Sequence, residues 1–212
     1  MAPALSIQSS PPERDPAELA SVIARAANGE EEAWRELLAL YSRRVFAMAR
    51  SRLHNDDLAE EITQSVFVTI ATKLNGQGDS GGYSEQGKFE PWLFRITMNR
   101  VRDYCRKRAR HATPTAPEHM GGLSAKPELD HAQRDAGMAE MTKLRSAMEQ
   151  LSERDREIIE LRHHGQLSFK QIAEISGDPI GTLLARHHRA LKKLREILEP
   201  QHPPQDGSGE VL

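Results

Sequence analysis

The chain has 212 residues, of which 38% are hydrophobic and 28% charged, and its formal net charge is −2. This length allows one large domain or two small ones, and the composition is ordinary for a globular protein. No apolar run approaches the roughly 20 residues that span a membrane, no signal peptide begins the chain, and Cys105 is the only cysteine, so we expect a cytoplasmic protein without membrane insertion or an intramolecular disulfide.

Helical periodicity fills the first half of the chain after a Pro- and Ser-rich tail at residues 1–15. Apolar residues recur every three or four positions, as on one face of an amphipathic helix. We predict N-caps at Asp15 and at Asp56 or Asp57 because their carboxylates can accept the free backbone N–H groups of a first turn. The predicted helices occupy about residues 16–27, 30–53, 56–74 and 91–110. In the last of these helices we expect Trp92 and Cys105 to belong to the core.

Two segments without periodicity interrupt this pattern. Residues 75–88 contain five glycines and predict a long loop. Residues 111–132 are rich in Pro, Gly, Ala and Thr and predict a linker between two domains, residues 16–110 and residues 133–199. The polar segment 200–212 predicts a disordered tail.

The second domain is predicted to contain four short helices. Its first helix carries one apolar face, which consists of Met138, Met141, Leu144, Met148 and Leu151. Ser152 is the predicted N-cap of a helix that ends near His163, and Ser168 with Gln171 fits a capping box for the next. After a tight turn at 176–178, Asp178-Pro179 predicts the N-cap and first residue of the last helix.

Basic residues concentrate in two helices despite the nearly neutral total. Between Arg95 and Arg110 there are seven basic residues and one acidic residue, a local charge of +6. The last helix carries a second basic cluster behind a short helix and a tight turn, which is typical of a DNA-binding helix-turn-helix. No segment alternates as a strand does, so we predict an all-α protein of two helical domains that contacts nucleic acid.

Three segments together identify the chain as similar to a known family. They are LAEEITQSVF (58–67), FEPWLFRITMNRVRDYCRKRAR (89–110), and LSERDREIIELR followed by LSFKQIAEISGDPIGTLLAR (151–162 and 167–186). In this order and spacing they resemble the extracytoplasmic-function sigma factors of bacterial RNA polymerase. The resemblance implies a sigma region 2-like domain, a sigma region 4-like helix-turn-helix domain, and no catalytic residue.

The resemblance also implies partners and sites. The partners are core RNA polymerase (the β′ clamp helices and the β flap), promoter DNA and, in many members, an anti-sigma factor. The expected polymerase-binding residues are Asp57, Glu60, Glu61 and Gln64. Those expected to recognise and melt the −10 element are Asn99, Arg102, Asp103, Arg106 and Lys107, and loop 75–88 lies where the family captures a flipped base. Those expected at the −35 element are Ser168, Lys170, Thr182, Arg186, His188, Arg189 and Lys192.

The chain departs from the family pattern after the turn. Leu184 and Ala185 stand where a cation and a hydroxyl are usual, and His187 stands where an apolar residue is usual. Losing one phosphate contact reduces the slope of log K for DNA binding against log salt concentration by about one unit.

Four alternatives to a sigma factor are compatible with parts of the sequence. A conventional helix-turn-helix regulator would have no need of the basic, aromatic segment 89–110. A sigma-like adaptor could bind polymerase without recognising promoters, as Leu184 and Ala185 would allow. The doublets His163-His164 and His187-His188 suggest zinc, but adjacent helical side chains point about 100° apart, so we expect no metal and no cofactor. Glu60 and Glu61 cannot face each other as an acid/base pair, and we expect no enzymatic activity.

Overall fold

A computed structural model describes residues 15–76, 88–111 and 131–199. All regular structure in these ranges is α-helical, which confirms the predicted fold class. The eight helices are α1 (Pro16–Ala27), α2 (Glu31–Leu53), α3 (Asp56–Leu74), α4 (Phe89–His111), α5 (His131–Glu149), α6 (Glu153–His163), α7 (Phe169–Ser176) and α8 (Ile180–Leu198). The predicted tails lie outside the described residues, as do most of the predicted loop and linker.

Side-chain caps begin four of these helices. Asp15 accepts from the N–H of Ala17 at 2.9 Å, and Ser152 accepts from that of Asp155 at 3.2 Å, which confirms both predicted N-caps. The predicted capping box of α7 is also confirmed: Ser168 and Gln171 each accept from the other's backbone N–H. Such caps supply partners to N–H groups that a first turn leaves free.

Two predicted caps were wrong. Asn55 caps α3 by accepting from Leu58 N–H at 2.8 Å, so Asp56 and Asp57 lie within its first turn. At α8, Pro179 is the N-cap, and no side chain accepts a hydrogen bond there. The carboxylate of Asp178 instead pairs at 2.7 Å with the guanidinium of Arg186, which lies eight residues further along the chain.

Helices α1 to α4 enclose the larger core. Helix α2 packs against α1, α3 and α4, and α3 packs against α4. Large side chains that are almost fully buried there include Leu37, Tyr41, Met48, Ile70, Phe89, Leu93, Phe94 and Met98. Trp92 is half-buried against the same core, in agreement with its predicted placement.

This core continues into the helix-turn-helix. Ile158, Leu161, Leu167, Ile172 and Leu183 of the second half belong to the same apolar cluster as α1–α4. A smaller cluster joins α5, α6 and α8 through Ala147, Leu151, Ile159, Ala190 and Leu194. Gly177, at φ +77°, supplies the left-handed turn that ends α7. The two halves of the chain therefore pack directly against each other.

The apolar face of α5 is only partly buried. Met138, Met141 and Leu144 are 60%, 62% and 42% exposed, whereas Ala147 is buried in the small cluster. One expectation about burial was wrong. Cys105 is exposed, because α4 extends beyond the core after Tyr104, the last of its residues that packs against it. Within the described ranges, no helix is both long and apolar enough to cross a membrane.

Candidate functional site

The acidic residues predicted on α3 form one exposed face of that helix. Asp57, Glu60, Glu61 and Gln64 are all exposed, whereas Ile62, Val66 and Ile70 face the core. The cap at Asn55 sets where α3 begins and so which carboxylates occupy its first turn. Carboxylates there are also favoured by the partial positive charge of the helix N-terminus. This acidic face is therefore available to a basic partner.

An open apolar groove of about 830 Å³ adjoins this acidic face, between α2 and α3. Glu60 and Gln64 lie on its rim. Its apolar lining consists of Trp34, Leu38, Phe46, Phe67, Val68 and Ala71. Leu38 and Val68 are 41% and 65% exposed, which is unusual for large apolar side chains beside one another. Acidic and apolar groups thus share one continuous surface.

Helix α4 presents a basic face beyond its buried half. Asn99, Asp103, Arg106 and Lys107 are exposed, and Arg106 pairs with Asp103 at 3.5 Å. The guanidinium of Arg100 donates to the hydroxyl of Thr69 at 3.0 Å, which ties α4 to α3. The exposed end of α4 can therefore neutralise phosphates.

The second half of the chain covers the middle of this basic face. A cleft of about 330 Å³ between α4 and α6–α8 contains both Asn99 and Arg102. Arg102 pairs across it with Glu157 of α6 at 2.5 Å, and Arg95 donates to the backbone carbonyl of Glu174. Of the five residues predicted at the −10 element, Asn99 and Arg102 line this cleft, although Asn99 is also exposed to solvent. The other three, Asp103, Arg106 and Lys107, are exposed and do not line it.

The residues predicted at the −35 element differ in availability. Lys170, Thr182, His188, Arg189 and Lys192 are exposed on α7 and α8. Ser168 uses its hydroxyl to cap α7, and Arg186 is 14% exposed and paired with Asp178. Leu184, which stands in place of a usual cation, is 47% exposed. Five of the seven predicted residues are therefore exposed, and one of these, Lys192, pairs with Glu196 at 3.8 Å.

A buried ionic cluster joins the two halves, and the predicted sites did not include it. Arg52 of α2 donates to Glu160 of α6 at 2.6 Å and to Glu153 at 2.7 Å, and Arg156 reaches Glu160 at 3.2 Å. The side chain of Glu160 is 0% exposed and that of Arg52 is 7% exposed. The only signal in the sequence is an acidic residue inside the apolar run Ile158-Ile159-Glu160-Leu161.

Burial and charge act in opposite directions within this cluster. Burial raises the pKa of Glu160, although Arg52 and Arg156 oppose that shift. Burial also disfavours the charge on Arg52, but Glu160 and Glu153 raise its pKa overall. Two guanidinium groups lie within hydrogen-bond distance of Glu160 and favour its charged form, against the effect of burial.

A second polar contact between the halves surrounds Arg44 of α2. Arg44 pairs with Glu90 at 2.7 Å, and its Nε donates to the carbonyl of Gly165 at 3.1 Å. Glu90 in turn accepts from the amide of Gln171, the capping-box residue of α7, at 2.5 Å. A Cβ on Gly165 would lie 2.6 Å from the carbonyl oxygen of Leu161, so this close approach requires glycine.

Histidines of α6 and α8 also meet. The Nε2 atoms of His163 and His187 are 3.4 Å apart, and their ring centroids are 5.6 Å apart. Burial, together with His163, Arg162 and His188, lowers the pKa of His187 to about 4. In the part of the chain that the structure describes, no group of three or more His, Cys, Asp or Glu side chains could hold a metal ion.

Two family models match the chain in order. The model "Sigma-70 region 2" matches residues 37–111, which contain most of α2 and all of α3 and α4. The model "Sigma-70, region 4" matches residues 147–196, which contain α6, α7 and most of α8. The segment between the two matches, residues 112–146, contains all of the predicted linker except its first residue.

Named relatives agree with these matches over most of the chain. The ECF RNA polymerase sigma factor SigE of Mycolicibacterium smegmatis is 28% identical over 81% of this chain, and the match spans 65% of SigE. The RNA polymerase sigma factor CarQ of Myxococcus xanthus is 29% identical over 82% of this chain and 94% of its own length.

Two solved structures share the fold. CnrH, in complex with the cytosolic domain of CnrY, matches 86% of this chain and 97% of its own with a TM-score of 0.62 and 23% identity. RpoE of Bartonella quintana, in complex with the anti-sigma factor NepR, matches 80% of this chain and 98% of its own with a TM-score of 0.53 and 24% identity.

Proposed function

The chain belongs to the extracytoplasmic-function sigma factors of RNA polymerase, and on that premise we propose that α1–α4 bind core polymerase and melt the −10 element while α5–α8 bind the −35 element. The observation that carries this proposal is the order of the two matches along the chain. The region 2 match contains the acidic face of α3 and the basic face of α4, and the region 4 match contains the helix-turn-helix. The domains would comprise residues 16–110 and 133–199, joined by residues 111–132.

The acidic face of α3 is the proposed docking site for the β′ clamp helices. Asp57, Glu60, Glu61 and Gln64 would pair with basic groups of polymerase, because exposed carboxylates steer and orient a positively charged partner. The adjoining groove, with Leu38 and Val68 exposed, would supply the apolar part of the same contact. A centre of apolar contacts inside a polar rim is the usual anatomy of a specific interface.

The exposed end of α4 is the proposed −10 surface. Arg102, Arg106 and Lys107 would hold phosphates, whereas Asn99 and Asp103 offer groups that can hydrogen-bond to an unstacked base. Strand opening would be driven by binding energy, because captured bases and neutralised phosphates offset a few kcal/mol of unstacking per step. In the proposed function, the protein therefore opens the strands without covalent chemistry of its own.

The −35 element is the proposed target of α7 and α8. Phosphates would be contacted by Lys170, Arg189 and Lys192. Thr182 lies in the first turn of α8, where its hydroxyl and the N-terminus of the helix would both contact the DNA backbone. His188 and Arg186 would lie nearest the bases. Arg186 is paired with Asp178, so its contribution depends on exchanging that carboxylate for DNA.

Promoter binding would require the two halves to separate. Arg102 is paired with Glu157 and Asn99 lies in the cleft, so the packed state occupies groups needed at the −10 element. Core polymerase would shift the balance by binding the separated state more tightly. We therefore expect weak binding to free DNA. An anti-sigma factor, such as the one bound to RpoE in the solved structure, would be a partner that favours the closed state. The expected location is cytoplasmic.

The test is run-off transcription with core polymerase on a pool of linear templates that carry random upstream sequence. We expect start sites that share a −35 and a −10 element. The charge reversals Glu60→Lys and Glu61→Lys together should weaken binding to core polymerase at least about tenfold, since exposed charge pairs are each worth up to about 1 kcal/mol. The matched control is Glu18→Lys, an exposed carboxylate on α1.

Two outcomes would decide against the proposal. Binding to core polymerase without transcription from any template would favour a sigma-like adaptor. Tight binding to duplex DNA in the absence of polymerase would favour a conventional helix-turn-helix regulator.

A further inference from the structure

The cleft between the two halves combines several arginines with an apolar floor. It has a volume of about 330 Å³ and is lined by α4 on one side and by α6, α7 and α8 on the other. Small-molecule sites usually have volumes of roughly 300–1,000 Å³, so a ligand that fits this cleft is small. The basic residues of its lining are Arg95, Arg102, Arg154 and Arg186.

The lining of this cleft carries an excess of positive charge. Its two carboxylates, Glu157 and Asp178, are each paired with one of the arginines, at 2.5 Å and 2.7 Å. Among the described residues, no carboxylate forms an ion pair with the other two arginines, Arg95 and Arg154. Four guanidinium groups against two carboxylates leave a net charge of +2. Guanidinium groups bind phosphate and carboxylate oxygens through paired hydrogen bonds, so this lining favours an anion.

Apolar side chains form the floor of the same cleft. Ile175 of α7 is half-buried there, and the amide of Asn99 offers both a donor and an acceptor beside it. The other apolar residues of the lining are at most 2% exposed: Met98, Ile158, Leu161, Ile172 and Leu183. An apolar surface with a few polar groups around it is typical of sites that bind a ring-containing ligand.

We propose that this cleft binds a small organic phosphate, an anion of mononucleotide size that carries a flat ring. Arg95 and Arg154 bind the phosphate, the floor packs against the ring, and Asn99 hydrogen-bonds to the edge of the ring. A ligand of about 20 non-hydrogen atoms with ordinary efficiency has a dissociation constant on the order of 10–100 μM.

Such a ligand would stabilise the packed state of the chain. Its contacts come from both halves, so the complete site exists only while the halves are together. A ligand that binds one of two states more tightly shifts the equilibrium toward that state. Because Asn99 and Arg102 belong to the proposed −10 surface, the ligand would oppose promoter binding. This consequence rests on the proposed function, whereas the binding site itself does not.

Calorimetric titration of the full chain with AMP, GMP, CMP and UMP tests the site. We expect at least one of the four to bind with a dissociation constant below about 100 μM. The same nucleotide should bind at least about tenfold more tightly than inorganic phosphate or its own nucleoside, because each of these lacks one of the two recognised groups. No binding of any nucleotide below about 1 mM, or a nucleoside that binds as tightly as its nucleotide, would overturn the proposal.

Exposed arginines supply matched variants. Arg154→Gln should weaken binding of the nucleotide at least about fivefold, because a charge-assisted hydrogen bond to the phosphate is lost. Arg154 is exposed, so this variant tests the site even if Arg95→Gln, which also loses its contact with α7, unfolds. Arg108→Gln and Arg195→Gln remove exposed arginines outside the cleft and should leave the affinity within about twofold of wild type.

The controls separate a specific site from binding to the overall charge. Equal weakening in all of the arginine variants would mean that the nucleotide binds through general electrostatic attraction, and it would overturn the proposal. The titration uses the chain without polymerase or promoter DNA, so a failure here is distinct from a failure of the proposed function.

Discussion

At the scale of single residues, Glu160 is the one charged residue that is fully buried in the described part of the chain. Its carboxylate is completely buried and accepts from Arg52 of α2 and Arg156 of its own helix. Charges taken out of water are costly unless paired, so removing one partner leaves the other uncompensated. Without a partner, this buried carboxylate would destabilise the fold. Paired with Arg52, it joins α6 to α2.

Replacing Glu160 should be strongly destabilising. We expect Glu160→Ala to lower the free energy of unfolding by about 3–5 kcal/mol, since it leaves the buried guanidinium of Arg52 with a single carboxylate. Glu153→Ala removes the other partner of Arg52 but is 59% exposed, so its cost should stay below about 1 kcal/mol. Urea unfolding followed by circular dichroism measures both. Equal losses would contradict the assigned role of Glu160.

Leu184 tests the −35 surface at the same scale. It is 47% exposed on α8 in place of a usual cation. Leu184→Lys should steepen the dependence of log K on log salt by about one unit through one new phosphate contact. The measurement is binding of holoenzyme to a promoter chosen by the run-off selection. Leu198→Lys adds the same charge about 21 Å further along the helix and should leave the slope unchanged.

At the scale of elements, α7 depends on its first turn. It has only eight residues, and helices this short are marginal without caps and tertiary contacts. Ser168 and Gln171 form the capping box, and Gln171 also donates to Glu90 of α4. One local motif therefore begins the helix and attaches it to the other half of the chain.

The cap gives Ser168 a structural role besides its predicted contact with DNA. We expect Ser168→Ala to cost about 1 kcal/mol, because one backbone N–H of the first turn loses its acceptor. For a protein of this length that corresponds to a fall in Tm of roughly 2–4 °C. Ser146→Ala, in the exposed part of α5, should not lower Tm, since alanine is the better helix former. A thermal scan that shows no difference between the two variants would exclude this role.

At the scale of the whole molecule, the packing of the two halves controls access to the basic face of α4. Arg102–Glu157 and Arg52–Glu160 both cross the contact, and the main apolar cluster continues across it. The polar contacts can exchange with water or phosphate, whereas the apolar ones must be exposed on separation. The packed and separated states are therefore in an equilibrium that a partner can shift.

Breaking one polar contact should favour the open state. Glu157→Gln removes the charge opposite Arg102, which is 33% exposed, and should favour separation severalfold. Fluorescence resonance energy transfer can report the distance between the two halves, with one dye on the exposed Cys105 and the other on a cysteine introduced by Leu198→Cys. We expect lower transfer in Glu157→Gln and, in the wild type, on adding core polymerase. Glu196→Gln, which alters an ion pair within α8, is the control and should leave transfer unchanged.

The sequence by itself determined the features that depend on neighbours along the chain. Helical periodicity, the capping box at Ser168 and the turn at Gly177 follow from local geometry, so the all-α class and the helix-turn-helix were predictable. The acidic face of α3 was predictable too, because residues three or four apart share one side of a helix. The prediction of Asp56 or Asp57 as N-cap was wrong by only one or two residues, since Asn55 competes for the same position.

Only the tertiary structure decided which helices meet. The exposure of Met138 and Met141 depends on how far α8 extends along α5, and no pattern within α5 specifies that. The pairing of Glu160 with Arg52, of Arg102 with Glu157 and of His163 with His187 joins residues that are 24 to 108 positions apart. Such contacts follow from the relative placement of whole helices, which is determined by the packing of the shared core rather than by any local preference.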